Sequence, residues 1–263
     1  MKLNPIIPQR EKLQNIVWRH VQPTSTHIID LEQEDQKYTY YNESCYKFPI
    51  GPYTSPALSL LCKSIQERLR VQGDFMFCID DFSCIQGTCL NSGNTEYPTI
   101  IRLTSGAVNL LTDNELAFLI GHELGHAIMQ NGLVQFFFNI FYKDNTAPKF
   151  LTHQFHVYQL LSELEADRYG FLACGCNLDT FVSYQYKFCG GIDQQRFGVS
   201  TETFLKANQR YMQKFLNGGW LGKRHPANAL RIEAIRLFAT CKTNRELKAQ
   251  MKPIIDSIQN CDD

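Results

Sequence analysis

His122-Glu123-Leu124-Gly125-His126 holds the residues of this chain best suited to chemistry. Two histidines four apart lie on one face of a helix, one above the other, and can share a metal ion. Glu123, directly after the first, can reach a water held by that metal and act as a base. Two neutral imidazoles leave a divalent cation short of ligands, so a third protein donor, preferably anionic, must come from elsewhere. Ser162-Glu163-Leu164-Glu165-Ala166-Asp167-Arg168-Tyr169-Gly170 is the best supplier. Glu163 and Asp167 are also four apart and share a helical face, whereas Glu165 points roughly opposite. Glu163 is therefore assigned to zinc, and Asp167 to the ring N–H of His122 or His126, where it would fix the tautomer and raise ligand basicity. The competing reading is a solvated acidic face with Arg168 as counter-charge.

These residues need two helices to hold them. Thr112-Asp113-Asn114-Glu115 reads as a capping box, with Thr112 as N-cap, and Leu116, Leu119, Ile120, Leu124, Ala127 and Ile128 recur at helical spacing, which predicts one buried stripe beside the histidines. Asn131-Gly132 is expected to close this helix. Upstream, 56–71 reads as a helix, 75–79 and 98–103 as strands, and 92–94 as a loop between them. Downstream, helical patterns cover about 154–174, 178–189, 202–216, 226–239 and 244–260, the last with a break or kink expected at Pro253. The short apolar run 136–142 reads as a buried connector or a lid. Residues 1–55 are aromatic and polar without a clear period, and are expected to form an extension that packs on a domain of residues 56–263. The order predicts an α+β fold: a mostly helical domain with a small β-sheet beside the histidine helix.

Lys plus Arg equals Asp plus Glu at 26 each among 263 residues, with no basic cluster, so nucleic acid is not an expected partner. No stretch of about 18 apolar residues could span a membrane, and the first residues lack the apolar core of a signal peptide. The expectation is a cytoplasmic protein without a transmembrane segment, its ten cysteines reduced rather than paired.

Three segments, 113–126, 163–170 and His225-Pro-Ala-Asn-Ala-Leu-Arg-Ile232, are similar in order and spacing to the signatures of the M48 metallopeptidases, over roughly residues 55–240. The soluble bacterial members without membrane helices look closest, since Ile101-Arg-Leu-Thr-Ser-Gly106 and Leu172-Ala-Cys174 also fit their pattern. The resemblance implies a gluzincin fold, one Zn2+ per chain, and peptide-bond hydrolysis on a protein or peptide in extended conformation. By position it makes His122, His126 and Glu163 the metal ligands, Glu123 the catalytic base and Asp167 the orienting carboxylate. It places His225 near the active site, in contact with substrate or transition state, and gives Arg231 a structural role beside a carboxylate. It also makes the strand at 98–103 the edge strand to which substrate adds. Two departures stand out. Tyr158, Gln159, Leu160 and Leu161 occupy the stretch where members usually carry an arginine, and Thr88 or Asn91 must serve where many have an Asn-Ala-Phe-like motif. The alternative function is a noncatalytic or latent zinc protein that holds peptides in the same groove, against which the intact Glu123 argues.

Overall fold

A computed structural model describes residues 3–23, 26–90, 96–142, 146–217 and 225–260. The histidine helix, α5 (Asp113–Ile128), starts as its sequence dictates: the Thr112 hydroxyl accepts from the Glu115 backbone N–H while the Glu115 carboxylate takes the Thr112 N–H at 2.8 Å. Glu115 is further tied to α8 (Leu178–Gly190) by Ser183 and by Lys187, at 2.5 and 2.8 Å. α5 is buried all round from Glu115 to Gly125, not along one stripe, and Ile128 at its end is exposed. It is a central element, packed on every side.

Its main partner is α7 (Lys149–Ala173), and the two helices approach unusually closely. A β-carbon on Gly121 would lie 2.2 Å from that of Ala173, and one on Gly125 would lie 3.0 Å from the Ala166 backbone. Small residues on both helices thus bring the two backbones together, and the side chains of His122, His126 and Glu163 can meet across a short gap.

The other face of α5 carries a four-stranded mixed sheet in the order β1-β2-β4-β3, made of β1 (Phe48–Pro49), β2 (Phe75–Asp80), β3 (Gly87–Leu90) and β4 (Thr99–Thr104). β2 and β4 are parallel, with Phe77 opposite Ile101, while β1 and β3 pair antiparallel at the two sides. The expected strand at 98–103 is therefore interior, and β3 is the edge beside α5. The predicted loop at 92–94, with Asn91, lies outside the described residues.

α3 (Pro56–Leu69) packs on α5, and α9 (Thr201–Asn217), α10 (Asn228–Thr240) and α11 (Asn244–Gln259) complete one large core with α7. A six-residue helix, α4 (Ser105–Leu110), joins β4 to α5. The fold is a mostly helical α+β arrangement, as anticipated. α11 runs unbroken through Pro253, held by buried Met251, Ile254, Ile255 and Ile258.

One further expectation needs correcting, and two segments gain definition. Asn131-Gly132 does not terminate α5: Gln130 takes the left-handed conformation, φ 54°, and Asn131 begins α6 (Asn131–Phe141). The apolar run is part of that helix, where Phe137 and Phe138 join Val17, Val21, Leu151 and Phe155 in a second core. Residues without an obvious period form two helices, α1 (Pro8–Val21) and α2 (Thr26–Tyr46). None of the nine described cysteines is in a disulfide, and among the described residues no helix is long and apolar enough to cross a membrane.

Candidate metal and catalytic site

α5 presents His122, Glu123 and His126 to a cleft of about 820 Å³, and α7 presents Glu163 from the facing side. Nε2 of His122 and Nε2 of His126 are 3.1 Å apart. Glu163 Oε1 lies 3.4 Å from Nε2 of His126, and Oε2 lies 3.6 Å from Nε2 of His122. One ligand atom from each of the three residues falls within 4.8 Å of the others, a group that could hold a metal ion. The donor set fits such an ion: two buried or half-buried imidazoles and a carboxylate converging from facing helices match zinc chemistry.

The residues behind this trio are as ordered as the trio. Nδ1 of His122 faces Oδ1 of Asp167 at 2.9 Å. An ionised carboxylate can only accept, so His122 donates from Nδ1, which in the neutral ring leaves the lone pair on Nε2. Asp167 is in turn gripped by Arg231 of α10, Nε to Oδ2 at 2.7 Å and Nη2 to Oδ1 at 2.6 Å, a two-pronged contact with both partners buried. Of the two histidines left open by the sequence, Asp167 thus serves His122, and Arg231 is paired with a carboxylate. Burial alone would raise the Asp167 pKa; the Arg231 charge overrides it and holds the carboxyl below its usual range.

The acidic run on α7 is not a solvated face. Glu165, fully buried, accepts from the Ile7 backbone N–H at 2.7 Å and from both Nε and Nη2 of Arg10 at 3.1 and 3.0 Å. Arg168 is buried, donates to the Pro5 carbonyl and lies over the Phe238 ring. The cation missing from 158–161 has its counterpart in α1, which the sequence did not signal. Gln14 of α1 also donates to the Met129 carbonyl at the end of α5, so one helix ties together both helices that carry the site.

Glu123 lies beneath β3. A β-carbon on Gly87 would fall 2.7 Å from both Cγ and Oε1 of Glu123, so glycine is what lets the edge strand pass over the carboxylate. Burial, with the Glu163 charge adding to it and His122, Arg231 and His225 opposing, raises the Glu123 carboxyl to about 7. Glu163 is the reverse: burial opposes ionisation, but His126, His225, His122 and Arg231 outweigh it and hold the carboxyl far below its usual range. Burial, reinforced by repulsion from His122 and Arg231, lowers His126 to about 4, and it is neutral at pH 7. Two carboxylates on facing helices are thus driven apart, one kept as an anion and one poised to exchange a proton near neutrality.

His225 sits at the mouth of the cleft, its side chain 63% exposed, with Nδ1 2.9 Å from Oε2 of Glu163. Thr88 lines the same cleft from β3, while Asn91 lies outside the described residues. The sequence missed two polar residues at the site: Asn131, whose side-chain amide stands 2.9 Å from Nδ1 of His126, and Tyr158, whose hydroxyl donates to that amide at 2.6 Å. Asn131 had a turn residue's signature, and Tyr158 stood out only as a departure.

The model for peptidase family M48 matches residues 92–239, more than half of the chain, among them His122, Glu123, His126, Glu163, Asp167 and His225. The chain belongs to peptidase family M48, a family of metallopeptidases. Comparison with curated proteins and with solved structures gave no significant match.

Proposed function

We propose that this protein is a zinc-dependent endopeptidase in which His122, His126 and Glu163 hold one Zn2+ and Glu123 is the general base. The observation that supports this reading most is that one ligand atom from each of three residues lies within 4.8 Å of the others, beside a buried carboxylate whose pKa is raised to about 7. Zinc held there supplies a Lewis acid for the scissile carbonyl and brings the pKa of a water toward 7. Glu123, buried and close to neutrality in pKa, takes the proton of the attacking water and passes it to the leaving amine. Asp167, held by Arg231, orients the His122 ring through Nδ1, so that Nε2 would be the atom to hold the zinc.

Substrate adds as an extended chain along β3, not along the interior β4, because among the described strands β3 is the sheet edge that lines the cleft. Main-chain pairing there draws the scissile bond over Gly87 and Glu123. His225, exposed at the mouth, donates to the oxyanion once it leaves Glu163. In this reading residues 56–263 form the catalytic domain, and 1–55 are an extension whose Arg10 and Gln14 brace the metal-bearing helices.

Cleavage of an unfolded protein, measured before chelation, after it, and after zinc is restored, tests the proposal. Activity lost on chelation and regained with zinc is expected. Binding of the unfolded protein without cleavage, unaffected by chelator, would replace it with the noncatalytic peptide-holding alternative.

A further inference from the structure

A second cavity, of about 180 Å³, opens where the segment ahead of α1 meets α7 and α11, and it shares no residue with the catalytic cleft. Its walls are mostly aliphatic, with Ile6 from the segment and Leu247, Met251 and Ile255 from α11. The segment is held on both sides. The Asn4 backbone N–H donates to Oδ1 of Asn244 at the start of α11, at 3.0 Å, and the Ile7 N–H donates to Glu165 of α7 at 2.7 Å.

One buried charge stands in this apolar wall. Arg168 of α7 is 3% exposed, yet it makes no ion pair among the described residues. Glu165, three positions before it, is already taken: Oε2 accepts from the Ile7 N–H and from Nε of Arg10, and Oε1 accepts from Nη2 of Arg10. Nη1 of Arg168 donates to the Pro5 carbonyl at 3.1 Å, whereas its buried Nε meets no acceptor. Two buried guanidiniums therefore share one buried carboxylate, and one positive charge at this seam is left without a counter-ion. Burial lowers the Arg168 pKa to about 10, with the Glu165 charge offsetting part of the effect, so the group is cationic at pH 7. A buried charge and an unmet donor both disfavour such an arrangement unless an anion completes it.

The surroundings define that anion. The edge of a guanidinium that carries Nε and Nη2 matches the two oxygens of a carboxylate. Arg10 turns this edge to Glu165, and Arg231 turns it to Asp167. In Arg168, with Nη1 held by Pro5, it is the edge left over. Exposed Lys248 adds a second positive charge to the same cavity, while the aliphatic walls suit a hydrocarbon body better than a sugar or a phosphate. A cavity of roughly 150 Å³ holds a molecule the size of benzene, so this one takes a body of about six to eight carbons.

We infer that this cavity binds a free monocarboxylate of the short- to medium-chain fatty-acid type, its carboxylate paired with Arg168 and its body between Ile6 and the apolar face of α11. Bound there, the acid joins the N-terminal segment, α7 and α11 at one point, away from the catalytic cleft.

Isothermal titration calorimetry of the full chain with octanoate, octan-1-ol and acetate tests this. Chelator is present throughout, so that no metal at His122, His126 and Glu163 can take the carboxylate. One octanoate per chain is expected, with a Kd below about 1 mM, together with at least about tenfold weaker binding of octan-1-ol and none of acetate. Arg168→Met should weaken octanoate at least about tenfold. Ile6→Trp, which fills the cavity from the half-buried segment and leaves Arg168 in place, should abolish binding while the protein still unfolds cooperatively in urea; it decides the matter if Arg168→Met fails to fold. No octanoate bound at about 10 mM, octan-1-ol bound as tightly as octanoate, or binding by either variant within twofold of the wild type would overturn the inference and leave Arg168 as a structural tie to Pro5 and Phe238.

Discussion

Replacing Glu123 by glutamine should make the metal-free protein more stable, by an amount that grows with pH. Glu123 is 5% exposed, and burial moves its carboxyl from an ordinary 4.5 to about 7. A folded pKa above the unfolded one means that the folded chain resists losing the proton. The resulting penalty is absent below the unfolded value, grows as pH rises from 4.5 toward 7, and is constant above that. At about 1.4 kcal/mol per pH unit the full penalty is about 3 kcal/mol at pH 8 and less than about 1 kcal/mol at pH 5. Glutamine has nearly the same shape and no charge, so it removes the penalty without opening a cavity. Urea unfolding followed by circular dichroism, with chelator present at pH 5 and at pH 8, reads the difference directly. The variant's midpoint should exceed that of the wild type clearly at pH 8 and only slightly at pH 5. A variant no more stable at pH 8, or one whose advantage is larger in acid, would refute the reasoning that Glu123 is a carboxylate stored against its own burial.

Gly87→Ala must displace the Glu123 carboxylate, since the new methyl would lie 2.7 Å from it; peptide cleavage should fall at least about tenfold while zinc affinity, measured by chelator competition, stays near that of the wild type. Asp167→Asn weakens the hold on His122 and halves the Arg231 contact, so zinc affinity should drop about 10- to 100-fold, seen in the same competition. Arg10→Met strands the fully buried Glu165 and should cost about 3–5 kcal/mol in urea unfolding, most of it recovered when Glu165→Gln is added, because the stranded charge and not the lost arginine carries the cost.

The parts of this protein that could be read in sequence are those set by neighbours along the chain. The Thr112 capping box and the spacing of His122, His126, Glu163 and Asp167 are properties of single helices, and both helices follow them. What escaped is non-local. That α5 is buried all round depends on how many elements pack on it, and that β4 lies inside the sheet depends on strand order, which residues 98–103 do not encode by themselves. Arg10 lies 155 positions from Glu165 and becomes its counter-ion only once α1 docks. α1 hides its period because its buried face mixes Arg10 with Val17 and Val21. Asn131-Gly132 looks like a stop signal, yet Gln130 takes the left-handed turn and frees Asn131 to face His126. Pro253 is carried inside α11 because the apolar residues around it are anchored in the core, which outweighs one missing backbone donor.

The central claim is that two histidines and Glu163 hold a metal and that Glu123 moves the proton. Metal content and turnover of an unfolded protein substrate, determined side by side for the wild type and Glu123→Gln, test it most directly. The account predicts one zinc per chain in both proteins, with turnover in the wild type and a loss of at least about 100-fold in the variant. Undiminished turnover in Glu123→Gln, or a wild type that cleaves equally well with no metal bound, would contradict it.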